Sequence, residues 1–292
     1  MRKHTKCLIC ESDLLQPLKG YYQQHGLIRC ANCGFVFMER IPEKEELDKH
    51  YSAYSYNSVQ ELSPVTVKRY HTILDEFEKY RKTNKILDVG CGRGWFLIEA
   101  KKRGWMVYGT EFSPLAIKLC TESGIQMTEG VLDPAKFDAN DFDVITSFEV
   151  IEHINNPNLE LESISTLLRT GGLFYITTPN FNSLMRYYLK ANYNVIEYPE
   201  HLSYYTKSTL NRVIKKHNMW PVKFQSTGIS LTRIQASKNA GKEIQAPSID
   251  SDEVLRRNIE GKWYLTLAKN FLNALLSITP TGLTLKGYYE KK

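Results

Sequence analysis

A turn of three alternating glycines constrains the fold of this chain more than any other sequence feature. The apolar run Lys85–Val89 contains Asp88, and Gly90, Gly92 and Gly94 follow at every second position. Glycine is needed in such a turn because the backbone adopts positive φ and a ligand approaches the main chain closely. The spacing differs from the G-x-G-x-x-G fingerprint of nicotinamide-binding folds. The run therefore predicts a strand and a ligand-binding turn that leads into a helix.

Strands and helices alternate after this turn. A helix is expected over residues 65–82, and the predicted strands are 85–89, 106–110, 125–128, 143–147 and 173–177, with helices near 95–103, 114–123, 157–169 and 206–217. Two later strands are expected at 222–227 and 283–289. This order predicts an α/β fold in which helices cover both faces of a largely parallel sheet.

The glycine turn resembles the first motif of the class I S-adenosylmethionine-dependent methyltransferases, in which an acid such as Asp88 precedes a G-x-G-x-G turn. The resemblance continues through the fourth-strand segment 142–153 and the fifth-strand segment 173–180, and it covers at least residues 65–235. It implies a Rossmann-like sheet that binds S-adenosylmethionine, with the Glu111 carboxylate accepting both ribose hydroxyls. The residues implied to bind the cofactor are Asp88, Gly90, Cys91, Gly92, Gly94, Glu111, Phe112, Val131, Leu132, Phe148 and Glu149.

Four of the six cysteines lie in two C-x-x-C knuckles near the N-terminus. Cys7 and Cys10 form the first knuckle, and Cys30 and Cys33 form the second. Two knuckles of this spacing predict one tetrahedral zinc ion, and a closed site of four sulfurs leaves no position for water, so the zinc would be structural. Residues 1–40 are accordingly predicted to form a zinc ribbon. The pattern leaves open whether the ribbon also contacts a substrate or a partner.

The rest of the chain divides into a connector, residues 41–64, and a methyltransferase domain, residues 65–292. The apolar residues of a helical segment around 252–278 spread over much of the helix surface, so we expect this helix to be largely buried. Packing within the chain is the favoured interpretation, and a homodimer through this segment is the alternative.

The segment Tyr198–Tyr205 is the best candidate for the catalytic groups. It resembles the Tyr-x-Glu-His-x-x-Tyr stretch of bacterial sugar C-methyltransferases, which also carry a four-cysteine zinc domain; Tyr198, Glu200 and His201 match its acid and base groups. Pro199 and the lack of a further C-terminal α/β domain depart from that group and favour O-methylation. His201 is then the expected general base, with Glu200 orienting it. His153 is a second candidate.

The acceptor class is predicted only coarsely. A formal net charge of +6 without a long basic block is compatible with an anionic substrate. We expect a small-molecule or glycoconjugate acceptor, first of all a hydroxyl of a sugar or polysaccharide precursor. The alternatives are C-methylation of a nucleotide-linked keto-sugar, RNA methylation and a non-catalytic cofactor-binding scaffold. Nucleic acid is disfavoured because Ser147–Val150 replaces the Asn/Asp-Pro-Pro-aromatic motif of enzymes that methylate base amines.

A cytoplasmic location is expected from the N-terminal residues. The start of the chain is basic but has no apolar run after it, so it does not predict a secretory signal. The longest apolar stretch, residues 263–278, is interrupted by polar residues and is too short to predict a membrane span.

Overall fold

A seven-stranded sheet forms the centre of the molecule in the computed structural model, which describes residues 2–43, 45–47, 62–193, 195–229 and 263–292. Its strands are β4 (Lys85–Val89), β5 (Met106–Glu111), β6 (Gln126–Glu129), β7 (Phe142–Phe148), β8 (Leu168–Pro179), β10 (Met219–Thr227) and β11 (Thr284–Lys291). They are ordered β10-β11-β8-β7-β4-β5-β6, and β11 alone runs antiparallel to its neighbours. Strands β4 and β7 are central, so the glycine turn opens at the middle of the carboxyl edge.

Helices cover both faces of this sheet, as the sequence predicts. They are α2 (Pro64–Phe77), α3 (Trp95–Lys102), α4 (Pro114–Glu122), α5 (Pro157–Leu167), α6 (Leu184–Leu189), α7 (Lys207–Lys215) and α8 (Trp263–Ile278). Successive strand residues point to opposite faces, so Ile86 and Val144 pack with α2 and α3, whereas Leu87 and Ile145 pack with α5 and α7. The α/β fold with two helical layers is confirmed.

Local sequence fixes where three of these helices begin. Ser63, Ser113 and Asn156 each accept a hydrogen bond from the backbone N–H three residues ahead, and each is followed by a proline at the first helical position. A polar N-cap satisfies an otherwise unpaired backbone donor, and proline has no N–H to lose there. These caps explain why the predicted helix starts agree with the observed ones within one residue.

The N-terminal region forms a second, smaller sheet. Strands β1 (Leu15–Pro17), β2 (Leu27–Cys30) and β3 (Val36–Met38) pair antiparallel, and a short helix α1 (Tyr22–His25) precedes β2. The fourth strand, β9 (Ser203–Tyr204), comes from the segment between β8 and α7 and pairs with β3. The small sheet is therefore completed by the segment that contains the candidate catalytic residues.

The C-terminal helix α8 is not buried as the sequence predicts. Phe271 and Ile278 are 68% and 77% exposed, and Leu276 is its one buried side chain among those described. Helix α8 packs on β10, where Ser277 Oγ donates to the Ser226 carbonyl at 3.0 Å and the Gly228 N–H donates to Asn273 Oδ1 at 3.0 Å, but most of its described apolar side chains stay exposed. The homodimer through this segment stays a prediction. None of the described helices has the length and apolar character that a membrane span requires.

The predicted connector, residues 41–64, lies largely outside the described residues, which omit 44 and 48–61. The first part of the predicted helical segment around 252–278 also lies outside them, up to residue 262.

Candidate functional site

The glycine turn after β4 has the backbone geometry that its sequence requires. Gly90, Gly92 and Gly94 have φ values of 66°, 54° and 69°, a region that side chains other than glycine rarely adopt. A Cβ atom on Gly92 would meet nothing within 4 Å, so the turn is open at its middle. A Cβ atom on Gly90 would lie 2.8 Å from Val150 Cγ2. The turn therefore packs directly against the segment that follows β7 and leaves room for a ligand above Gly92.

Two carboxylates flank this turn, and both are held in place. Asp88 is buried at the end of β4 and accepts a hydrogen bond from Thr146 Oγ1 at 2.7 Å. Glu111 ends β5; its Oε2 accepts from the Gly92 N–H at 3.0 Å, and its Oε1 accepts from the Phe112 N–H at 2.8 Å. Because the anchored carboxylates stand on either side of an open glycine turn, they suit a ligand with a cationic end and a hydroxyl-bearing end.

Burial raises the pKa of Asp88 to about 7, and the charge of Glu111 adds to this effect. Folding therefore favours the protonated form. The protonated Asp88 side chain contributes its full stabilisation below the pKa near 4 that an aspartate has in the unfolded chain. This stabilisation is lost as the pH rises to about 7. Asp88 is thus a destabilising residue at neutral pH.

Asp88→Asn should raise the free energy of unfolding by about 2–4 kcal/mol at pH 8. The gain should shrink steadily below pH 7 and vanish near pH 4, because the buried carboxyl is then neutral in both states. Thermal unfolding followed by circular dichroism between pH 4 and 8 measures this. Thr146→Val, which removes only the hydrogen bond to Asp88, is the matched control and should destabilise instead. A variant no more stable than the wild-type protein at pH 8 would contradict the assignment of Asp88.

The other residues predicted to bind the cofactor line the same edge or support it. Phe112 and Val131 are 65% and 66% exposed beside Glu111, an unusual position for apolar side chains and one suited to the two faces of a flat ring. Leu132 is buried beneath them. The Phe148 ring lies 4.9 Å from the Phe96 ring, within an aromatic cluster below the edge. Cys91 is half-buried, and its N–H donates to the Thr110 carbonyl at 3.0 Å.

These residues fit S-adenosylmethionine. The open turn at Gly92, the two carboxylates and the exposed apolar rim would provide separate contacts for the charged tail, the ribose and the adenine. That Asp88, Glu111, Phe112, Val131 and the glycines hold these pieces remains a prediction.

Two histidines meet beside the turn. His153 ends a 3₁₀ turn, residues 151–153, just after β7, and His201 lies in the segment that leads to β9; their ring centroids are 4.9 Å apart. His153 Nδ1 lies 2.7 Å from the Glu200 carbonyl, and His201 Nδ1 lies 2.6 Å from the Val195 carbonyl. Since a carbonyl only accepts, each Nδ1 carries the proton and each Nε2 is left as the basic nitrogen.

The two imidazoles differ in environment. Burial lowers the pKa of His153 to about 4, and the neighbouring His201 adds to this effect. His153 is therefore neutral at physiological pH and a weak base. His201, which is partly buried, stays the first candidate for the general base.

Glu152 is a residue of this site that the sequence motifs did not single out. Its side chain is 2% exposed, and Oε2 accepts from Thr178 Oγ1 at 2.9 Å, while Oε1 is buried without a hydrogen-bond partner. Burial raises its pKa well above the ordinary value, with a further contribution from the charge of Glu149. One feature of the sequence could have indicated Glu152 as a site residue: it is an acid that follows the apolar Ile151 and directly precedes the candidate His153.

Tyr198 and Glu200 are the other two predicted catalytic residues, and their contacts differ from those of the two histidines. The Tyr198 hydroxyl donates to Glu46 Oε2 at 3.1 Å, and its ring lies 4.8 Å from the Arg40 guanidinium. It therefore contacts the N-terminal region rather than the histidines. Glu200 contacts His153 through its backbone carbonyl. Glu149 has a φ of 53°, an uncommon conformation for a residue with a side chain and one often found at functional sites.

The four N-terminal cysteines converge as a metal site requires. All four Sγ atoms lie within 4.8 Å of one another, with Cys7 to Cys33 at 3.5 Å and Cys10 to Cys30 at 3.6 Å. A tetrahedral zinc with bonds of about 2.3 Å needs sulfurs about 3.8 Å apart. Burial raises the pKa of Cys7 to about 11, so a cation is needed to hold this thiol as a thiolate at neutral pH. The donor set fits one zinc ion, whose presence remains a prediction.

The zinc ribbon contacts the candidate catalytic segment directly. Besides the β3–β9 pairing, the Met38 N–H donates to the Leu202 carbonyl at 2.9 Å, and the Leu202 N–H donates to the Glu152 carbonyl at 2.8 Å. Phe35 of the ribbon packs on Tyr205 with ring centroids 5.0 Å apart. His201 is therefore fixed between the ribbon on one side and the 3₁₀ turn on the other.

Comparisons with known proteins agree with this geometry. The family model described as "Methyltransferase domain" matches residues 65–222, more than half of the chain. The chain is 31% identical over 103 residues to the ubiquinone biosynthesis O-methyltransferase of Xanthomonas axonopodis pv. citri (strain 306), over 33% of this chain and 43% of that protein. The protein of the same name from Citrobacter koseri is 36% identical over 105 residues, 34% of this chain and 43% of the relative. The chain thus spans less than half the length of these curated relatives.

Solved structures share the fold. A phosphoethanolamine N-methyltransferase 2 from Haemonchus contortus, in complex with S-adenosyl-L-methionine, aligns with a TM-score of 0.53 at 16% identity over 88% of this chain and 61% of that chain. A SAM-dependent methyltransferase from Archaeoglobus fulgidus aligns with a TM-score of 0.51 at 19% identity over 85% of this chain and all of the other. At these identities the likeness concerns the fold alone.

Proposed function

The chain belongs to the class I S-adenosylmethionine-dependent methyltransferases, as the match over residues 65–222 shows, and from this premise we propose that it transfers a methyl group to a hydroxyl of a small-molecule or glycoconjugate acceptor. The observation that carries the proposal is the position of His201. Its imidazole is fixed through Nδ1, which leaves Nε2 as the ring nitrogen without a proton, and it stands beside the segment that packs on the glycine turn.

The contacts along this edge connect the two halves of the reaction site. Gly90 packs on Val150, and the Glu152 carbonyl two residues further on holds the Leu202 N–H next to His201. When bound, S-adenosylmethionine supplies a methyl group already activated on a sulfonium. The remaining task of the protein is to align an acceptor oxygen with that methyl and to remove its proton.

The residues divide this task between them. Asp88 and Glu111 orient the two ends of the cofactor, and the open position at Gly92 lets it approach the backbone. His201 Nε2 accepts the proton of the acceptor hydroxyl. The short bond from His201 Nδ1 to the Val195 carbonyl holds the ring in the tautomer that makes this possible.

A sugar or polysaccharide-precursor hydroxyl is the acceptor that we favour. The stretch Tyr198–Tyr205 supports this through its resemblance to sugar-modifying enzymes, and the curated relatives carry the name of O-methyltransferases. The cytoplasm is the proposed location, because four thiolates that bind zinc require reducing surroundings. The exposed apolar side chains of α8 are compatible with the proposed homodimer.

Methyl transfer to nucleotide sugars and simple glycosides tests the proposal. Purified protein, S-adenosylmethionine and a panel of such acceptors should give products that mass spectrometry shows to be heavier by one CH₂ unit, and a methoxyl signal in the NMR spectrum identifies O-methylation. A product methylated at carbon would replace the proposal by the C-methylation alternative. Cofactor binding without transfer to hydroxyl, carbon or RNA acceptors would favour the non-catalytic scaffold.

A further inference from the structure

Three side chains that commonly ligate metals converge beside the glycine turn. Glu152, His153 and His201 each offer one ligand atom, and these atoms lie within 4.8 Å of one another. Two imidazoles and one carboxylate form a donor set that proteins use for divalent first-row metals. The three residues come from two separate chain segments, the 3₁₀ turn after β7 and the segment before β9, so the site exists only in the folded protein.

Both imidazoles have the outer contacts of metal-bound histidines. In metal sites a ligating histidine almost always donates its second ring N–H to a carbonyl, a carboxylate or water, which fixes the tautomer. His153 Nδ1 contacts the Glu200 carbonyl at 2.7 Å, and His201 Nδ1 contacts the Val195 carbonyl at 2.6 Å. The Nε2 atoms are thus the nitrogens left for a ligand.

Glu152 supplies an independent observation. Its Oε1 atom is buried and has no hydrogen-bond partner, although the side chain is 2% exposed. Among the described residues its one ion-pair contact is His153 Nε2, at 3.9 Å. A buried carboxylate oxygen without a partner destabilises the fold. A cation bound by this oxygen and the two imidazoles would remove that destabilisation.

The local charge also favours a cation. The carboxylates of Glu149 and Glu200 both act electrostatically on Glu152, and the Glu149 backbone carbonyl faces the His153 ring. No lysine or arginine in the described ranges forms an ion pair with Glu152. The site therefore combines several oxygens, two imidazole nitrogens and nearby acidic side chains.

We propose that Glu152, His153 and His201 bind one divalent transition-metal ion of the Mn²⁺ class, distinct from the zinc of the four cysteines, and that this ion binds the acceptor hydroxyl. The metal site does not depend on the proposed function; the binding of the acceptor hydroxyl by the ion does. With the ion bound, His201 Nε2 is a ligand and no longer the base of the proposed function; the ion would instead lower the pKa of the hydroxyl it binds, and the proton would leave to water. The acceptor oxygen then forms the new C–O bond as the C–S bond of the sulfonium breaks, and the sulfur leaves as a neutral thioether.

Binding of Mn²⁺ alone to the full-length protein tests the site. The ribbon is first loaded with zinc, because thiolates select zinc over Mn²⁺. Titration followed by electron paramagnetic resonance should show the signal of free Mn²⁺ suppressed by one ion per chain. Glu152→Gln and His201→Gln should each weaken the affinity at least about tenfold. His71→Gln, which alters a His–Glu pair elsewhere at 3.0 Å, is the matched control and should bind as the wild type does.

Two results would overturn the proposal: a protein that binds S-adenosylmethionine but no Mn²⁺, or variants that bind Mn²⁺ as tightly as the wild type. If Glu152→Gln fails to fold by circular dichroism, His201→Gln decides alone, since His201 is only partly buried. The Mn²⁺ titration contains no acceptor, so its result is independent of the methyl-transfer assay. A protein that methylates a hydroxyl but does not bind Mn²⁺ would refute the metal site alone. A protein that binds Mn²⁺ but methylates no acceptor would refute the proposed function alone.

Discussion

Cys30→Ser should abolish the predicted zinc site and lower the melting temperature by about 10 °C or more, because binding of a structural zinc contributes directly to folding. Cys30 is fully buried in the core that the ribbon shares with α5 and α7. Loss of the ribbon also removes the partner of β9, so the segment with His201 is no longer fixed. Methyl transfer should therefore fall about a hundredfold or more, as expected when a catalytic group is displaced.

Cys10→His is the matched control for this variant, since three cysteines and one histidine still form a tetrahedral zinc site. It should retain the metal and most of the activity. Zinc content by atomic absorption, thermal unfolding and transfer rate are measured on both variants. A Cys30→Ser protein without zinc that melts and turns over like the wild type would show that the ribbon neither stabilises the chain nor positions His201.

His201→Gln should reduce kcat by about 10²–10⁴, the contribution typical of a general base. Affinity for S-adenosylmethionine should change less than about threefold, because the proposed role of His201 concerns the acceptor and not the cofactor. Glutamine can still donate to the Val195 carbonyl, so the local backbone contact is retained while the basic nitrogen is lost.

His217→Gln is the control, because His217 contacts Asn158 at 3.2 Å, on the helical layer away from the glycine turn. Steady-state kinetics between pH 5 and 9 on both variants give kcat and KM separately. An unchanged kcat in His201→Gln, or an equal loss in His217→Gln, would remove His201 from the mechanism.

The central sheet was predictable because its determinants are local. Alternating apolar residues, proline-containing caps and the glycine turn each act within a few residues, and β4 and the starts of α3, α4 and α5 agree with the predictions. Predicted ends were less accurate. Helix α5 ends at Leu167 rather than 169 because β8 already begins at Leu168.

The site was predictable only in part, because its key contacts join distant segments. His153 and His201 were both candidates, yet nothing in the sequence places their rings 4.9 Å apart. Strands β3 and β9 are far apart in the sequence, so their pairing depends on the fold of the whole chain between them. A strand of two residues such as β9 also has no periodic sequence pattern. The carboxylate of Glu152 completes the cluster, and its position depends on the 3₁₀ turn that follows β7.

The position of α8 shows the limit of composition as a guide to burial. Apolar residues around a helix predict that something covers it, but they do not say what. Leu267, Phe271 and Ile278 remain more than half exposed in the described structure. Sequence periodicity alone could not separate packing on the chain's own sheet from packing on another molecule.

Calorimetric titration of the full-length protein with S-adenosylmethionine tests the central claim most directly. The account predicts one binding site per chain, with affinity lowered at least about tenfold by Glu111→Gln, because the neutral amide cannot replace the carboxylate that is predicted to accept the ribose hydroxyls. Glu129→Gln, on the neighbouring strand, should leave the affinity unchanged. Absence of heat with both S-adenosylmethionine and its demethylated product would contradict the account.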